Sequence, residues 1–153
     1  MDTYCDLYDS PVGQILLKAS DRGISLCDFI DEKVIAPDSI FPNIHTIRGA
    51  EWLDAYFSKQ PLPELEYDLS GTDFQLKVWD VINAIPHGKV ISYNDIVKKI
   101  PGTSARAVGT ATGRNPLAII IPCHRVIGSD GKLHGYSGGI KRKIWLLAFE
   151  KED

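Results

Sequence analysis

The stretch from Ser92 to Gly113, SYNDIVKKIPGTSARAVGTATG, decides the fold of the C-terminal half of the chain. Ser92, followed three residues later by Asp95, forms a capping signature and predicts a short helix as far as Ile100. A Pro-Gly turn follows, and Ser104 then caps a second helix that is expected to end near Gly113. Two short helices joined by a tight turn that contains glycine predict a helix-turn-helix.

Arg106 is the only long polar side chain of the predicted second helix, whose other residues are alanine, valine, glycine and threonine. A recognition helix that reads a base sequence normally presents several long polar side chains to the base edges. This helix is able to approach DNA closely but has almost nothing with which to read bases. We therefore expect docking by shape, tolerant of sequence, with Arg106 as the single probe.

The segments before this pair of helices predict another helix and, further upstream, a small sheet. Thr72 and Gln75 form a capping box, and apolar residues then recur at helical spacing from Phe74 to Ile85. Nearer the N-terminus, three short β-rich segments and their turn signals predict an antiparallel meander, followed by a helix over Thr46–Lys59. The strands are expected at Asp6–Tyr8, Gln14–Ala19 and Ile24–Phe29.

The segments after the helix-turn-helix predict a buried strand, a flexible loop and a final helix. The apolar run Leu117–Ile121 is typical of a buried strand and would carry Cys123 towards a pocket. The loop from residue 128 to 139 has five glycines, and a helix over Ile140–Glu150 is expected to close the chain. Its buried face is predicted to comprise Ile140, Ile144, Leu147 and Ala148, flanked by Glu150.

This order of elements predicts a mixed α/β (α+β) protein of two domains. Residues 1–66 would form a small antiparallel sheet with a helix. Residues 67–153 would form a mostly helical domain with a helix-turn-helix of the winged-helix type. A length of 153 residues is sufficient for two small domains.

Charge divides along the same line. The chain carries a net charge of −3, but residues 1–71 hold 5 Lys+Arg against 13 Asp+Glu, whereas residues 72–153 hold 12 against 7. The basic half, at +5, is the half expected to meet a polyanion such as DNA. No apolar stretch approaches the roughly 20 residues of a membrane span. The acidic start lacks a secretory pattern, so we expect a cytoplasmic, nucleoid-associated protein, or a nuclear one if eukaryotic.

The three cysteines, Cys5, Cys27 and Cys123, are an odd number without CxxC spacing, which disfavours a disulfide framework and a zinc knuckle. Cys5 and Cys27 would be small apolar residues within strands; pairing, or a shared metal with His45, is the alternative. Cys123 on residue types alone is either a packed core thiol or a nucleophile. Adjacent His124 and a cationic Arg125 favour a thiolate, because a histidine accepts the proton and positive charge stabilises the anion.

Six motifs follow one another through the C-terminal half: Ile91-Ser92-Tyr93, Arg106-Ala107-Val108-Gly109, Asn115-Pro116, Pro122-Cys123-His124-Arg125-Val126, Tyr136-Ser137-Gly138-Gly139 and Trp145-Leu146-Leu147-Ala148-Phe149-Glu150. They resemble the O6-alkylguanine-DNA alkyltransferase family, with its order and spacing over essentially all of residues 72–153. The N-terminal part resembles that family only in general character, as a ribonuclease-H-like sheet with a helix.

The resemblance implies a single-use transfer of an alkyl group from guanine O6 to Cys123. His124 would remove the thiol proton through a water, and Glu150 would hold His124 in the required tautomer. Asn115 would be a hinge that ties together the turns around the site. Tyr136 would donate a hydrogen bond from its hydroxyl to the purine as negative charge develops there.

The same resemblance implies contacts with a nucleotide rotated out of the duplex, since a thiol cannot reach O6 inside a base stack. Arg106 would fill the gap in the stack, and Tyr93 would act on the phosphate of the target. Ser137 would offer its N–H to O6, while the carbonyls of Cys123 and Val126 would accept from the exocyclic amine. Further contacts with DNA or substrate are expected from Ala105, Thr110, Arg114, Arg125 and Gly138.

These expectations describe a monomeric DNA-repair protein that needs no cofactor and no metal. Its partner would be double-stranded DNA containing O6-alkylguanine, with O4-alkylthymine as a second substrate. Two rival interpretations remain at this point. One is a helix-turn-helix module that only binds alkylated DNA, although relatives of that kind lack the cysteine. The other is a Cys-His hydrolase with a covalent acyl intermediate, which leaves the helix-turn-helix and Arg106 without a role.

Overall fold

A computed structural model describes residues 3–133 and 135–152 of the chain. It divides into two compact units at the junction of Ser70 and Gly71. No helix among the described residues is long and apolar enough to cross a membrane.

The first unit is a three-stranded antiparallel sheet with one helix, counted over its described residues, and it confirms the predicted meander. The strands β1 (Tyr4–Ser10), β2 (Gly13–Ala19) and β3 (Ile24–Phe29) lie in that order, with Leu7 opposite Leu16 and Leu17 opposite Cys27. Cys5 and Cys27 lie in strands, as predicted. The helix α1 (Ile44–Phe57) begins two residues before the predicted Thr46 because Asn43 caps it.

The second unit contains four helices and a pair of two-residue strands among the residues that the structure describes. The predicted caps are confirmed: Thr72, Ser92 and Ser104 each accept a hydrogen bond from the backbone N–H three residues on. The elements are α2 (Asp73–Asn83), β4 (Ile91–Ser92), α3 (Tyr93–Lys99), α4 (Ala105–Gly113), β5 (Val126–Ile127) and α5 (Ile140–Lys151).

The helix-turn-helix, α3 and α4, is fixed to the rest of this unit by two kinds of contact. The indole of Trp79 on α2 is buried and donates to the carbonyl of Ala111 on α4 over 2.9 Å. The strand β4, which leads into α3, pairs in parallel with β5, with Ile91 opposite Val126. Because β5 directly follows the segment that contains Cys123, the cysteine is held close to the helix-turn-helix.

The predicted strand Leu117–Ile121 is wrong, although the burial of these residues is as expected. Backbone hydrogen bonds from Ile120 N–H to the Ala118 carbonyl and from Ile121 N–H to the Leu117 carbonyl, each of 2.8 Å, curl the segment into turns. Ile119 sits at φ 70°, a left-handed conformation that costs a β-branched residue about 1–3 kcal/mol. Local hydrogen bonding has overridden the β preference of the apolar run.

The buried face of α5 also differs from the prediction. Ile140 and Ile144 are 40% and 51% exposed, and Ala148 is exposed as well. The buried residues are Lys143, Leu146 and Glu150, which share the opposite face. The helix has this rotation because Lys143 and Glu150 form hydrogen bonds to groups near Cys123. These bonds stabilise the fold more than burial of the two isoleucine side chains would.

Candidate active site

Cys123 lies at the start of a short 3-10 turn, Cys123–Arg125, and its side chain reaches a cavity. Its backbone N–H donates to the Ile121 carbonyl over 2.7 Å, and the residue is only 4% exposed. The cavity has a volume of about 380 Å³, within the range of small-molecule sites. The thiol therefore faces this cavity rather than the open surface.

The cavity is bounded by the helix-turn-helix on one side and by the glycine-rich loop on the other. On the helical side, α3 contributes Tyr93 and α4 contributes residues with small side chains or none. The small side chains of α4 offer few groups that could contact base edges, and they also leave space for a cavity next to the thiol. The described lining residues are Tyr93, Gly109, Thr112, Gly113, Cys123, Gly135, Tyr136 and Ser137.

His124 and Glu150 form a buried hydrogen-bonded pair next to the thiol. His124 Nε2 lies 2.7 Å from Glu150 Oε2, and both side chains are at most 1% exposed. A carboxylate only accepts, so the pair assigns the proton of a neutral imidazole to Nε2 and leaves the lone pair on Nδ1. Nδ1 is buried and has no hydrogen-bond partner among the residues that the structure describes. The ring is thus set to accept a proton at Nδ1.

The charge state of His124 follows from its surroundings. Burial lowers its pKa below the ordinary value near 6.5, and this outweighs the opposing effect of the Glu150 carboxylate; Arg125 and Lys143 lower it further. His124 is therefore neutral at physiological pH, which is the state that a general base requires.

Arg125 is buried against Glu150, which is inconsistent with its predicted contact with DNA. Its Nε and Nη2 donate to the two carboxylate oxygens of Glu150 over 2.8 and 2.9 Å, and Nη1 donates to the Ile85 carbonyl over 2.7 Å. With its side chain only 9% exposed and its donors bonded to Glu150 and Ile85, Arg125 offers little surface to a phosphate. It holds the Glu150 carboxylate in place through two charge-assisted hydrogen bonds.

Asn115 ties the curled segment before the cysteine. Its side-chain oxygen accepts from Leu117 N–H over 2.9 Å, and its amide donates to the Ile121 carbonyl over 2.7 Å and to the Leu117 carbonyl over 3.4 Å. One side chain therefore fixes both ends of the segment that leads to Pro122 and Cys123.

Two tyrosines stand next to the thiol. Tyr93 is half-buried, and its pKa is raised by burial and then by the negative charge of a Cys123 thiolate. The ring of Tyr136 meets that of His124 edge to face, with centroids 6.4 Å apart. Both hydroxyl-bearing rings and the thiol thus share one cavity.

The other predicted contact residues lie at the surface or around the cavity. Ala105, Arg106, Thr110 and Arg114 are exposed on α4 or at its end, and Ala105 and Arg106 border a shallow groove with Tyr93 and Gly109. Ser137 is exposed at the cavity. Two carbonyls are engaged within the protein: that of Gly138 accepts from Arg142 Nη1 over 3.1 Å, and that of Val126 from Lys143 Nζ over 2.7 Å.

Sequence reasoning missed the small residues of the cavity wall and the burial of Lys143. Lys143 lies seven residues before Glu150, so both fall on one face of α5. Because Glu150 was predicted to bond to His124 in the interior, this spacing could have predicted that the Lys143 side chain is buried as well. Within residues 3–133 and 135–152, no three His, Cys, Asp or Glu side chains group in a way that would hold a metal ion.

A buried thiol with a histidine-carboxylate pair, placed beside a helix-turn-helix, is typical of an enzyme that uses cysteine chemistry on DNA. The family described as 6-O-methylguanine DNA methyltransferase, DNA binding domain, matches residues 73–152, more than half of the chain. The chain belongs to this family. This membership confirms the family, the enzyme class and the DNA binding that the sequence predicts.

Relatives are similar over nearly the whole length. A methylated-DNA–protein-cysteine methyltransferase from Methanosarcina barkeri is 44% identical, with 98% of each chain covered. The crystal structure of Mycobacterium tuberculosis O6-methylguanine methyltransferase superimposes with a TM-score of 0.85 at 40% identity, covering 98% of this chain and 93% of that one. The crystal structure of Mycobacterium tuberculosis OGT in complex with DNA gives a TM-score of 0.81 at 42% identity, covering 95% of this chain and 91% of that one.

Proposed function

We propose that this protein repairs alkylated DNA by moving a methyl group from O6-methylguanine to its own Cys123 in one irreversible step. The observation that carries the proposal is the thiol at a cavity beside a neutral histidine whose Nδ1 is available and whose Nε2 is held by Glu150. Displacement at a methyl carbon needs a soft nucleophile, a base and a leaving group, and this arrangement supplies the first two.

The proposed step balances as follows. The thiol proton moves to His124 Nδ1, directly or through a water. The Cys123 sulfur attacks the methyl carbon, a sulfur–carbon bond forms, and the bond between that carbon and O6 breaks with its electron pair left on the purine. As charge develops on the purine, it takes a proton from the Tyr136 hydroxyl and leaves as guanine. The proton held by His124 is released to solvent and Tyr136 regains one from solvent, so no net proton is gained or lost. A thioether does not hydrolyse, so each molecule acts once.

The remaining residues serve access to the base. The target nucleotide leaves the duplex, because O6 is out of reach of a buried thiol while the base is stacked. Arg106, exposed on α4, fills the space that the base vacates, and Tyr93 acts on the phosphate of the target. Ser137 N–H would meet O6, and Ala105, Thr110 and Arg114 would lie along the duplex. O4-methylthymine is a second substrate. The protein acts as a monomer, in the cytoplasm at the nucleoid or, in a eukaryote, in the nucleus.

Intact-mass measurement tests the proposal directly. After incubation with duplex DNA that contains O6-methylguanine, we expect the protein to gain one methyl group, mapped to Cys123, and to repair no more than one equivalent of DNA. Undamaged DNA of the same sequence is the control. An unchanged mass with tight binding would support the binding module, and repair beyond one equivalent would support a hydrolytic enzyme.

Arg106→Ala is expected to slow transfer from duplex DNA by about ten- to a hundredfold. Extrusion of a base costs a few kcal/mol, and the variant no longer has the side chain that fills the gap and offsets part of this cost. Transfer from the free base O6-methylguanine, which needs no extrusion, should be unchanged. Arg114→Ala, which removes an exposed arginine at the other end of α4, is the matched control and should mainly lower affinity in a salt-dependent way. Equal losses with duplex and free base would refute the role of Arg106.

A further inference from the structure

Large exposed apolar side chains are concentrated in one short stretch of the first unit. Among the described residues, twelve large hydrophobic side chains are exposed, and five of them lie between positions 35 and 47. Single apolar residues are common on protein surfaces, but a concentration of this kind marks a site of interaction. The five, here called the apolar patch, are Ile35, Ile40, Phe41, Ile44 and Ile47, each between 46% and 77% exposed.

Hydrogen bonds fix the part of this stretch that leads into α1. Phe41 forms an antiparallel bridge with Cys5 on β1, in which the N–H of each residue donates to the carbonyl of the other over 3.0 and 2.8 Å. Asn43 then caps α1, and its side-chain amide donates to the Ser20 carbonyl over 3.0 Å. The backbone of the apolar patch is therefore preorganised here, which lowers the entropy that is lost when a partner binds.

The helix α1 has an apolar surface on two sides. Its buried face, which includes Trp52 and Leu53, packs within the first unit. Ile44 and Ile47 lie three residues apart on the exposed side, and Glu51, four residues further on, continues the same face. A surface helix normally presents polar residues opposite its buried face. The exposed isoleucines are therefore not needed to hold α1 in the unit.

The charge around the apolar patch restricts what can cover it. Residues 31–54 contain five acidic residues against two basic ones, Lys33 and Arg48. The same surface of a second copy would bring like charges together, and DNA and anionic lipid are repelled in the same way. A basic partner is attracted. The acidic residues are Asp31, Glu32, Asp38, Glu51 and Asp54.

We propose that the apolar patch docks a basic amphipathic helix of another protein. The apolar face of that helix would cover Phe41, Ile44 and Ile47, and its lysine or arginine side chains would lie against Asp38 and Glu51. Amphipathic helices are commonly recognised through an apolar face in this way, and complementary charge at the rim speeds association and sets orientation. The DNA contacts proposed above belong to the second unit, so docking of such a helix does not compete with them.

The test is binding of a fluorescein-labelled helical peptide of leucine and lysine, with the leucines at helical spacing, followed by fluorescence anisotropy. The wild type is expected to bind it at micromolar concentration, and to bind the leucine–glutamate version at least about tenfold more weakly. Ile44→Ser should weaken binding of the basic peptide by about tenfold, as for loss of an apolar interface anchor. Ile144→Ser, which changes a similarly exposed isoleucine of α5, should leave it unchanged.

A charge reversal tests the acidic rim without touching the apolar side chains. Glu51→Lys, at an exposed position of α1, is expected to weaken binding of the basic peptide by about fivefold and to reduce its salt dependence. Glu152→Lys, at the exposed end of α5, should change neither. Methyl transfer by Ile44→Ser and Glu51→Lys should equal that of the wild type, so failure of the docking proposal and failure of the repair function are distinguishable.

Other occupants of the patch would give other results. Equal binding of the basic and acidic peptides, or unchanged binding by Ile44→Ser, would overturn the proposal. Sedimentation velocity of the protein alone tests for a second copy, and a concentration-dependent dimer that Ile44→Ser abolishes would overturn the proposal in favour of self-association. Binding to phosphatidylglycerol vesicles that the same substitution abolishes would overturn it in favour of a membrane.

Discussion

Cys123→Ser should lose methyl transfer by at least about a thousandfold while it binds DNA within about twofold of the wild type. The substitution keeps the size of the side chain, which is 4% exposed, so docking through α4 has no reason to change. A serine hydroxyl is far less acidic than a thiol and is a hard nucleophile, so neither His124 nor a buried cation makes it reactive towards a methyl carbon. Intact mass after incubation with O6-methylguanine DNA measures transfer, and fluorescence anisotropy at one fixed salt concentration measures affinity.

The matched control is Cys5→Ser, which changes a partly exposed cysteine of the first unit and should leave both readings unchanged. Methylation of Cys123→Ser at another residue would show that the acceptor is misassigned. Loss of DNA affinity together with transfer would show that docking and chemistry are not separable at this residue.

Glu150→Gln is expected to lower the free energy of unfolding by about 3 kcal/mol, because it leaves a buried guanidinium without its counter-ion. The carboxylate bonds to Arg125 through both oxygens and to His124 through one, and it is 1% exposed, so solvent does not replace it. The rate of transfer should fall as well, because an amide is able to donate to His124 and so to favour the wrong tautomer. Denaturant titration and single-turnover kinetics measure the two effects.

Glu152→Gln provides the control, since it removes the same charge from the exposed end of α5 and should change stability by less than about 0.5 kcal/mol. If Glu150→Gln were as stable as Glu152→Gln, the buried cluster would contribute nothing to folding. Full activity in a destabilised Glu150→Gln would mean that Glu150 is structural and that His124 needs no orientation.

The elements that could be predicted from sequence are those with local causes. The caps at Thr72, Ser92 and Ser104 each bond a backbone N–H within the same turn, so the signal and the structure lie in one short stretch. The meander was equally predictable, since alternation and turn residues are local. Family resemblance added the pairing of His124 with Glu150, residues 26 positions apart in the chain.

What could not be predicted depends on polar contacts that an apolar pattern does not reveal. The run Leu117–Ile121 has the composition of a strand, and that composition does not show that Asn115, two residues before it, closes it into turns. The face of α5 follows from bonds that Lys143 and Glu150 make to other elements, which hydrophobic periodicity does not register. For the same reason Arg125, charged and next to the nucleophilic segment, was assigned to DNA although it is buried. In each case a polar contact within the protein decided the outcome, against what composition alone predicted.

Asn115 has a consequence for the speed of the reaction. Because its side chain bonds at both ends of the segment before Cys123, and Ile119 is held there in a conformation it would not adopt alone, the sulfur is preorganised before any base arrives. The conformational entropy that is lost when the Cys123 side chain is fixed is thus lost during folding, and not when the damaged base binds. A protein that reacts once has no further catalytic cycles. A fixed sulfur position therefore raises the fraction of encounters with a damaged base that lead to transfer.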